Sequence, residues 1–169
     1  MVIPGFCYYL YAMGSSSGIF TTAEKASLKA NKIKLKDAAG MHVPQLQQLL
    51  DVPLQRAREI HGLYEFQAIP SIGIQFAKDL LSIGCFSLGE LQHKTGPDLI
   101  HELELKTGVW QDPCVEDQCR LVVHYANNGD TGRQWWHFTA DRKAYRTQHG
   151  YPADRPAKPW YELLGYPAR

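Results

Sequence analysis

The sequence predicts an all-α protein, a bundle of short helices followed by a Pro-rich C-terminal tail that begins at Gly150. Apolar residues recur at helical spacing through most of the chain, and almost no segment shows the alternation typical of a strand. Capping residues, prolines at first helical positions and glycines after last turns mark where the helices begin and end. At 169 residues, of which 44% are hydrophobic, the chain is long enough to bury a core.

The N-terminal half carries helix signals at regular intervals. The sequence Thr-Thr-Ala-Glu at 21–24 predicts a capped polar helix, and Pro44 and Pro53 each open another helix. Two helices, 53–63 and 74–83, are predicted to pair. Their expected buried stripes are Leu54, Ala57, Ile60 and Tyr64 in the first and Ile74, Ala77 and Leu81 in the second. Arg56 is expected to face outward, and Ser87 to cap a further helix.

The same helix-start and helix-end signals predict the helices of the C-terminal half. Gly96-Pro97-Asp98 opens a helix over 97–105, and Asp112-Pro113 opens the longest helix, which Asn128-Gly129 ends. Thr139 is predicted to cap the last clear helix. The expected core residues of these helices are Leu99, Leu103, Val115, Val122 and Val123. We therefore divide the chain into an N-terminal extension with a Lys-rich helix (1–40), a central domain (41–149) and the tail (150–169).

The charge distribution, the opening segment and the cysteine content predict where a polyanion would bind and in which compartment the protein resides. Net charge is +2 over residues 1–73, −5 over 74–130 and +4 over 131–169, so a polyanion would be expected to contact the ends of the chain. The apolar opening segment, residues 2–13, lacks a basic start and is shorter than the ~20 residues of a membrane helix. Four cysteines in a chain of this length predict thiols in a reducing compartment. We expect a cytoplasmic protein with no membrane contact.

A turn between the two paired helices carries the main functional signal. In "QAIPSIGIQFAKDLLSIG", residues 67–84, an apolar-Pro-Ser-Ile-Gly turn joins the helices, which is the helix-hairpin-helix pattern. Ile72 is expected to anchor the turn in the core, and Gly73 to let a phosphate approach. Backbone N–H groups at the start of the second helix then bind an anion without reading a base sequence. The predicted DNA-binding residues here are Ser71, Ile72, Gly73, Ile74, Gln75 and Lys78.

A lysine cluster is the second candidate nucleic-acid contact. Five lysines fall between residues 25 and 36, and we assign Lys32, Lys34 and Lys36 to a phosphate-tracking arm. The alternative is a solvated helix with no partner. Near the other end of the chain, Arg142, Lys143 and Arg146 follow Trp135 and Trp136. Stacking on nucleic acid is one interpretation of that pair of tryptophans, and a lid over the core is the one we favour.

The stretches "IPSIGIQFAKDLLSIGCFSLGELQ", "DPCVEDQCRLVVHYANNGD" and "QWWHFTADRKA" resemble the bacterial pathogenicity-locus family, also known as mitomycin-resistance-protein-like. The resemblance covers roughly residues 40–145 and implies a helical DNA-binding fold with a poorly defined biochemical role. The chain departs from related hairpins in two places, since they usually have Gly where Ser71 stands and often Lys near Gln75. Ser71 is therefore expected to carry some backbone strain.

Three functions remain open, and we expect no cofactor for any of them. The first is a non-catalytic module that binds DNA backbone, with an accessory role in repair or recombination. The second is a protein–protein interaction module that has lost DNA binding. The third is a DNA glycosylase-like enzyme that uses Asp98, which follows Gly73 by 25 residues in a Thr-Gly-Pro-Asp sequence. We predict no metal site, because Cys114, Cys119 and His124 lie five residues apart and cannot converge from one helix.

Overall fold

The computed structural model describes residues 18–164, with side chains described up to residue 162. The apolar opening segment, Cys7 and the last five residues of the tail lie outside that range. The chain divides into two compact units at residues 90 and 91, and we call their described parts the N-terminal unit (18–90) and the C-terminal unit (91–164). All regular elements within 18–164 are helical, apart from one isolated bridge, so the all-α prediction is confirmed. The domain boundaries at 40 and 149 stay predictions.

The N-terminal unit consists of five α-helices and one 3₁₀ helix. Their bounds are α1 Thr22–Ala30, a 3₁₀ helix Asp37–Gly40, α2 Val43–Leu50, α3 Leu54–Gln67, α4 Ile74–Ser82 and the short α5, Leu88–Leu91, which ends one residue past the unit. The predicted cap of α1 is confirmed. Thr21 Oγ1 accepts the N–H of Glu24 at 3.2 Å, and the N–H of Thr21 donates to Glu24 Oε2 at 2.7 Å. These two bonds satisfy donors that would otherwise be bare at the helix start.

Helix α3 packs against both α2 and α4 to form the core of this unit. The buried side of α4 consists of Phe76, Ala77 and Leu80, whereas Ile74 and Leu81 are half-buried, so the predicted stripe was wrong in two of three positions. Five of the nine residues of α4 are apolar, which makes two different stripes compatible with helical spacing. In α3, Leu54 is exposed, because it is the first residue of the helix.

Two close contacts hold α3 in place. A Cβ built on Gly62 would lie 2.6 Å from the carbonyl oxygen of Phe86, so the backbone of the Phe86 turn approaches the helix where a side chain is missing. Arg56 was predicted to face outward, and this was wrong. Its guanidinium donates to Glu24 at 2.7 and 3.0 Å and to the carbonyl of Ile19 at 2.7 Å. The hydrogen bond from Arg56 lowers the pKa of Glu24.

The C-terminal unit is built on two long helices that pack against each other. Its elements are α6 Gly96–Thr107, α7 Pro113–Asn128, a 3₁₀ helix Trp135–Phe138, α8 Thr139–His149 and a 3₁₀ helix Trp160–Leu164. The predicted ends of α7 are confirmed, since Asp112 Oδ1 accepts the N–H of Cys114 at 2.9 Å and Gly129 takes a φ of 62°. Of the five predicted core residues, four are buried and Val123 is half-buried.

The start of α8 and the segment after it also differ from the prediction. Thr139 is the first residue of α8 rather than its cap, and its hydroxyl donates to Asp117 Oδ2 at 2.8 Å. The Pro-rich segment is not an extended tail within the described residues. The N–H of Trp110 donates to the carbonyl of Lys158 at 2.8 Å, and the N–H of Trp160 donates to the carbonyl of Trp110 at 2.9 Å. This segment therefore packs on the unit.

Three buried carboxylates, each bound by arginine, join α8 and the Pro-rich segment to α6 and α7. Glu104 accepts two hydrogen bonds from Arg155, at 2.7 and 2.8 Å. Glu116 accepts from Arg120 and Arg146, each at 2.8 Å, and Asp117 accepts from Arg142 at 2.8 Å. Burial raises the pKa of Asp117, against the opposing effect of its hydrogen bonds from Arg142 and Thr139. Arg142 and Arg146 are thus engaged inside the protein and do not form the basic surface considered for this region.

The last features of the fold are its cysteines, the apolar character of its helices and the grouping of its metal-ligating residues. Cys85, Cys114 and Cys119 are all buried, and Cys85 and Cys119 are thiols. None of the helices between residues 18 and 164 combines the length and the apolar character needed to cross a membrane. Within the same range, no three His, Cys, Asp or Glu side chains are grouped so that they could hold a metal ion.

Candidate nucleic-acid interface

The turn between α3 and α4, residues 68–73, is held by local hydrogen bonds and two buried isoleucines. The N–H of Ile69 donates to the carbonyl of Phe66 at 3.1 Å, and the N–H of Ile72 donates to the carbonyl of Ile69 at 3.2 Å. Ile69 is 1% exposed and Ile72 is 7% exposed. The predicted anchoring role of Ile72 is confirmed, and the turn is fixed to the core at both of its apolar residues.

Ser71 has the backbone strain that the sequence predicted. Its φ of 60° lies in the left-handed region, which an L-residue with a side chain occupies at a cost of about 1 kcal/mol. Glycine would adopt this conformation without that cost. The strain stays local, because the residues on either side of the turn begin and end regular helices.

The start of α4 leaves backbone donors available at the surface. Gly73 precedes the helix with an extended backbone, φ −90° and ψ 166°, and no side chain caps the helix. Among the described residues, no acceptor is found for the N–H groups of Gly73, Ile74 and Gln75. All three residues are partly or fully exposed. Since α4 has nine residues, these donors lie at the positive end of a helix dipole, where an anion is stabilised.

The exposed side of α4 carries the polar side chains that border these donors. Lys78 is exposed and lies one turn into the helix. Gln75 Nε2 donates to Asp79 Oδ1 at 3.1 Å, and burial raises the pKa of Asp79 to about 6. A lysine placed at position 75 would therefore face the Asp79 carboxylate at helical spacing, and that carboxylate would compensate part of its positive charge.

The five lysines of the cluster lie on α1 and on the loop that follows it, residues 31–36, which we call the lysine loop. Lys32 lies just after the helix and takes a φ of 57°. The N–H of Ile33 donates to the carbonyl of Leu28 at 2.9 Å, and this hydrogen bond closes the last turn of α1. Lys32, Lys34 and Lys36 are exposed, and none of them has an ion pair among the described residues. Their charge is thus open to solvent and to any polyanion.

A tyrosine connects the lysine loop to the helix that leads into the turn. Tyr64 Oη donates to the carbonyl of Leu35 at 2.6 Å, and Leu35 stands between Lys34 and Lys36. Tyr64 lies four residues before Ala68, where the α3–α4 turn begins. Burial raises the pKa of Tyr64 to about 12, so it remains a donor over the whole physiological range. The sequence did not reveal this link, because the two partners are 29 residues apart.

Asp98, the residue considered for glycosylase chemistry, has a structural role at the start of α6. It is exposed, and its Oδ2 accepts from the Thr95 hydroxyl at 2.6 Å while its N–H donates to Thr95 Oγ1 at 3.2 Å. Gly96 beside it is required for packing, since an added Cβ would lie 3.0 Å from the backbone of Arg120. The Thr-Gly-Pro-Asp sequence is therefore accounted for by a helix cap and a close helix contact.

These features define a small all-α protein with a candidate anion-binding turn and an exposed lysine loop in its N-terminal unit. The chain belongs to the pathogenicity locus family, whose model matches residues 59–144. It is also similar to the mitomycin resistance protein McrB of Streptomyces lavendulae, with 25% identity over 87 residues, 52% of this chain and 82% of that protein. No solved structure matches the chain.

Proposed function

We propose that this protein is a DNA-binding module that holds backbone phosphates without reading sequence, as an accessory in DNA repair or recombination. The α3–α4 turn is its helix-hairpin-helix motif. The observation that carries the proposal is the uncapped start of α4, where the N–H groups of Gly73, Ile74 and Gln75 lack acceptors among the described residues. Phosphate oxygens are strong acceptors, and backbone donors at a helix start bind them regardless of base sequence.

The surrounding geometry supports phosphate over a neutral ligand. Burial of Ile69 and Ile72 fixes the turn, so little conformational entropy is lost when an anion binds. Lys78 adds a positive charge on the same helix, and the lysine loop adds three more beside α3. Such charges contribute affinity that depends on salt, whereas the backbone donors determine where a phosphate lies.

Replacing Gly73 by Glu is expected to weaken duplex binding at least tenfold. The new carboxylate would stand in the path of the phosphate and repel it, while an acid near a helix start is tolerated by the helix itself. The φ of Gly73, −90°, is ordinary for any residue, so the backbone does not oppose the substitution. Fluorescence anisotropy with a labelled duplex at several salt concentrations measures the affinity, and circular dichroism measures the helical content.

Two matched variants separate charge from size and from position. Gly73→Gln adds nearly the same volume without charge and should lose less affinity than Gly73→Glu. Gly89→Glu adds the same charge to an exposed helical position of the same unit, where a Cβ makes only an ordinary 3.8 Å contact, and should leave affinity unchanged. Wild-type affinity in Gly73→Glu would exclude the α3–α4 turn as a DNA site.

Reversing the charge of Lys32, Lys34 and Lys36 to Glu is expected to lower affinity and to flatten its dependence on salt. Each phosphate that the protein no longer neutralises changes the slope of log K against log salt by about 0.9. Gly73→Gln should lower affinity mainly without that change of slope, because it blocks the backbone donors and changes no charge. An unchanged slope in the triple variant would show that the lysine loop is solvated surface. The control is Lys106→Glu, which reverses the charge of an exposed lysine in the C-terminal unit.

The two other functions differ in what they predict. An interaction module would show no duplex binding even at low salt, and Gly73→Glu would then change nothing. A glycosylase would form abasic sites in duplexes that contain damaged bases, and Asp98→Asn would abolish them. Asp98 is exposed and occupied in a helix cap, so the structure offers this function no specific support.

A further inference from the structure

Among the described residues of the C-terminal unit, Trp136 is the exposed tryptophan. Trp136 leaves 49% of its surface exposed, and among residues 18–164 the other exposed aromatic residue is Tyr151. Tyr151 has an internal role, because the guanidinium groups of Arg146 and Arg155 lie 4.3 and 3.7 Å from the centre of its ring. No guanidinium lies over Trp136 among the described residues. The interpretation of the two tryptophans as a lid over the core therefore accounts for only part of the surface of Trp136.

Trp136 is held in one orientation by its neighbours. Its ring meets Trp135 at 5.4 Å and 87° and His137 at 5.8 Å and 68°, both edge-to-face rather than stacked. Phe138 in the same 3₁₀ helix contacts the ring of His124 on α7, with 5.5 Å between ring centroids. A planar ring that is fixed at the surface can bind a second planar group at a low cost in conformational entropy.

Two exposed basic residues lie within seven positions of Trp136 along the chain. Arg133 is 53% exposed, and its contact with Asp130 is long, at 3.9 Å. Lys143 is exposed and has no ion pair among the described residues. Lys143 lies on α8, which follows the 3₁₀ helix of Trp136 directly. The exposed carboxylate of Asp141 lines a groove together with Tyr145.

An exposed tryptophan between basic side chains has the chemistry of a site for single-stranded nucleic acid. Unpaired bases stack on aromatic rings, and Lys or Arg follows the phosphates beside them. Bases within a duplex already stack on each other, so such a ring gains little from intact double-stranded DNA. A protein partner could cover an exposed indole, but the exposed charge of Lys143 and the weakly paired, half-exposed charge of Arg133 favour a polyanion.

We propose that Trp136, with Arg133 and Lys143 near it in the chain, stacks on an unpaired base, and that the protein prefers DNA with a single-stranded segment. This inference rests on the proposed function and specifies its substrate. The C-terminal unit would then contribute contact to bases, and the N-terminal unit contact to duplex backbone.

Three DNA probes with the same label test the inference: a blunt duplex, the same duplex with an eight-nucleotide single-stranded overhang, and a single strand. The wild-type protein should bind the overhang probe more tightly than the blunt duplex. Trp136→Ala should weaken binding of the overhang and single-strand probes about tenfold, within the range found when one stacked base is lost, and change blunt-duplex affinity less than twofold. Trp136→Phe should retain part of the affinity.

Control variants separate stacking from damage to the fold. Tyr151→Ala removes the other exposed aromatic ring and should not alter the preference for the overhang. Lys143→Gln should weaken binding of the single-strand probe without removing any buried contact. That loss of affinity supports the inference even if Trp136→Ala unfolds. Equal binding of the overhang probe by wild type and a folded Trp136→Ala would overturn the inference and leave a protein partner to cover Trp136.

The outcome also separates this inference from the proposed function. Duplex binding that Gly73→Glu abolishes, together with no effect of Trp136→Ala on any probe, overturns the stacking site and keeps the duplex site. Single-strand binding that depends on Trp136, without any binding of the blunt duplex, overturns the duplex site and keeps the stacking site.

Discussion

Glu116→Ala is expected to destabilise the C-terminal unit by about 3–5 kcal/mol, because it leaves buried arginines without their counterion. Glu116 is 1% exposed, and it accepts hydrogen bonds from Arg120 and Arg146, whose side chains are 14% and 10% exposed. All four tryptophans of the chain lie between residues 110 and 160, so their fluorescence during urea unfolding reports on this unit.

The controls for Glu116 contrast a buried ion pair with a surface one. Glu162→Ala breaks the exposed pair with Lys158, whose atoms are 4.0 Å apart, and should cost about 0.5 kcal/mol or less. Glu116→Gln keeps the size and one acceptor oxygen and should fall between the two. A loss below about 1 kcal/mol for Glu116→Ala would mean that water reaches the arginines in the native protein.

Gly62→Ala is expected to destabilise the N-terminal unit by about 1 kcal/mol or more, although alanine favours helix. The new Cβ would lie 2.6 Å from the carbonyl oxygen and 3.0 Å from the carbonyl carbon of Phe86. These are backbone atoms, so α3 and the Phe86 turn must separate, which costs about 1–3 kcal/mol or more. The gain in helix propensity, about 1 kcal/mol, offsets only part of that cost. Unfolding followed by circular dichroism at 222 nm measures the effect.

Gly89→Ala provides the matched comparison in the same unit. Gly89 is also helical, but its added Cβ would meet only the Ser87 hydroxyl, at an ordinary distance of 3.8 Å. The same change should therefore be neutral or slightly stabilising there. Equal effects of the two variants would show that propensity, not the approach of Phe86, determines the outcome at Gly62.

Local signals in the sequence predicted the helices and the candidate turn well. The cap formed by Thr21 and Glu24, the start of α7 at Asp112 and the burial of Ile72 all depend on residues within a few positions of one another. Such contacts follow from backbone geometry, which the sequence specifies directly. The Gly129 end of α7 belongs to the same group.

The interactions that the sequence did not reveal connect residues far apart along the chain. Arg56 binds Glu24 across 32 residues, and Arg155 binds Glu104 across 51. A surface arginine and an arginine with a buried partner look the same in a local pattern, so Arg142 and Arg146 were open to a nucleic-acid interpretation. Trp136 shows the converse case, because a tryptophan that covers a core and one that is exposed look the same in a local pattern.

The arginines that bind the buried carboxylates also determine which fragments of the chain can fold. The family match ends at residue 144, before Arg146 and Arg155. A protein cut at that position would keep Glu104 and Glu116 in its interior and lose two of the cations that neutralise them. It would also lose the Trp160 N–H that binds the carbonyl of Trp110. The limits of family similarity are therefore narrower than those of the folding unit, and a fragment for expression needs to extend through residue 160.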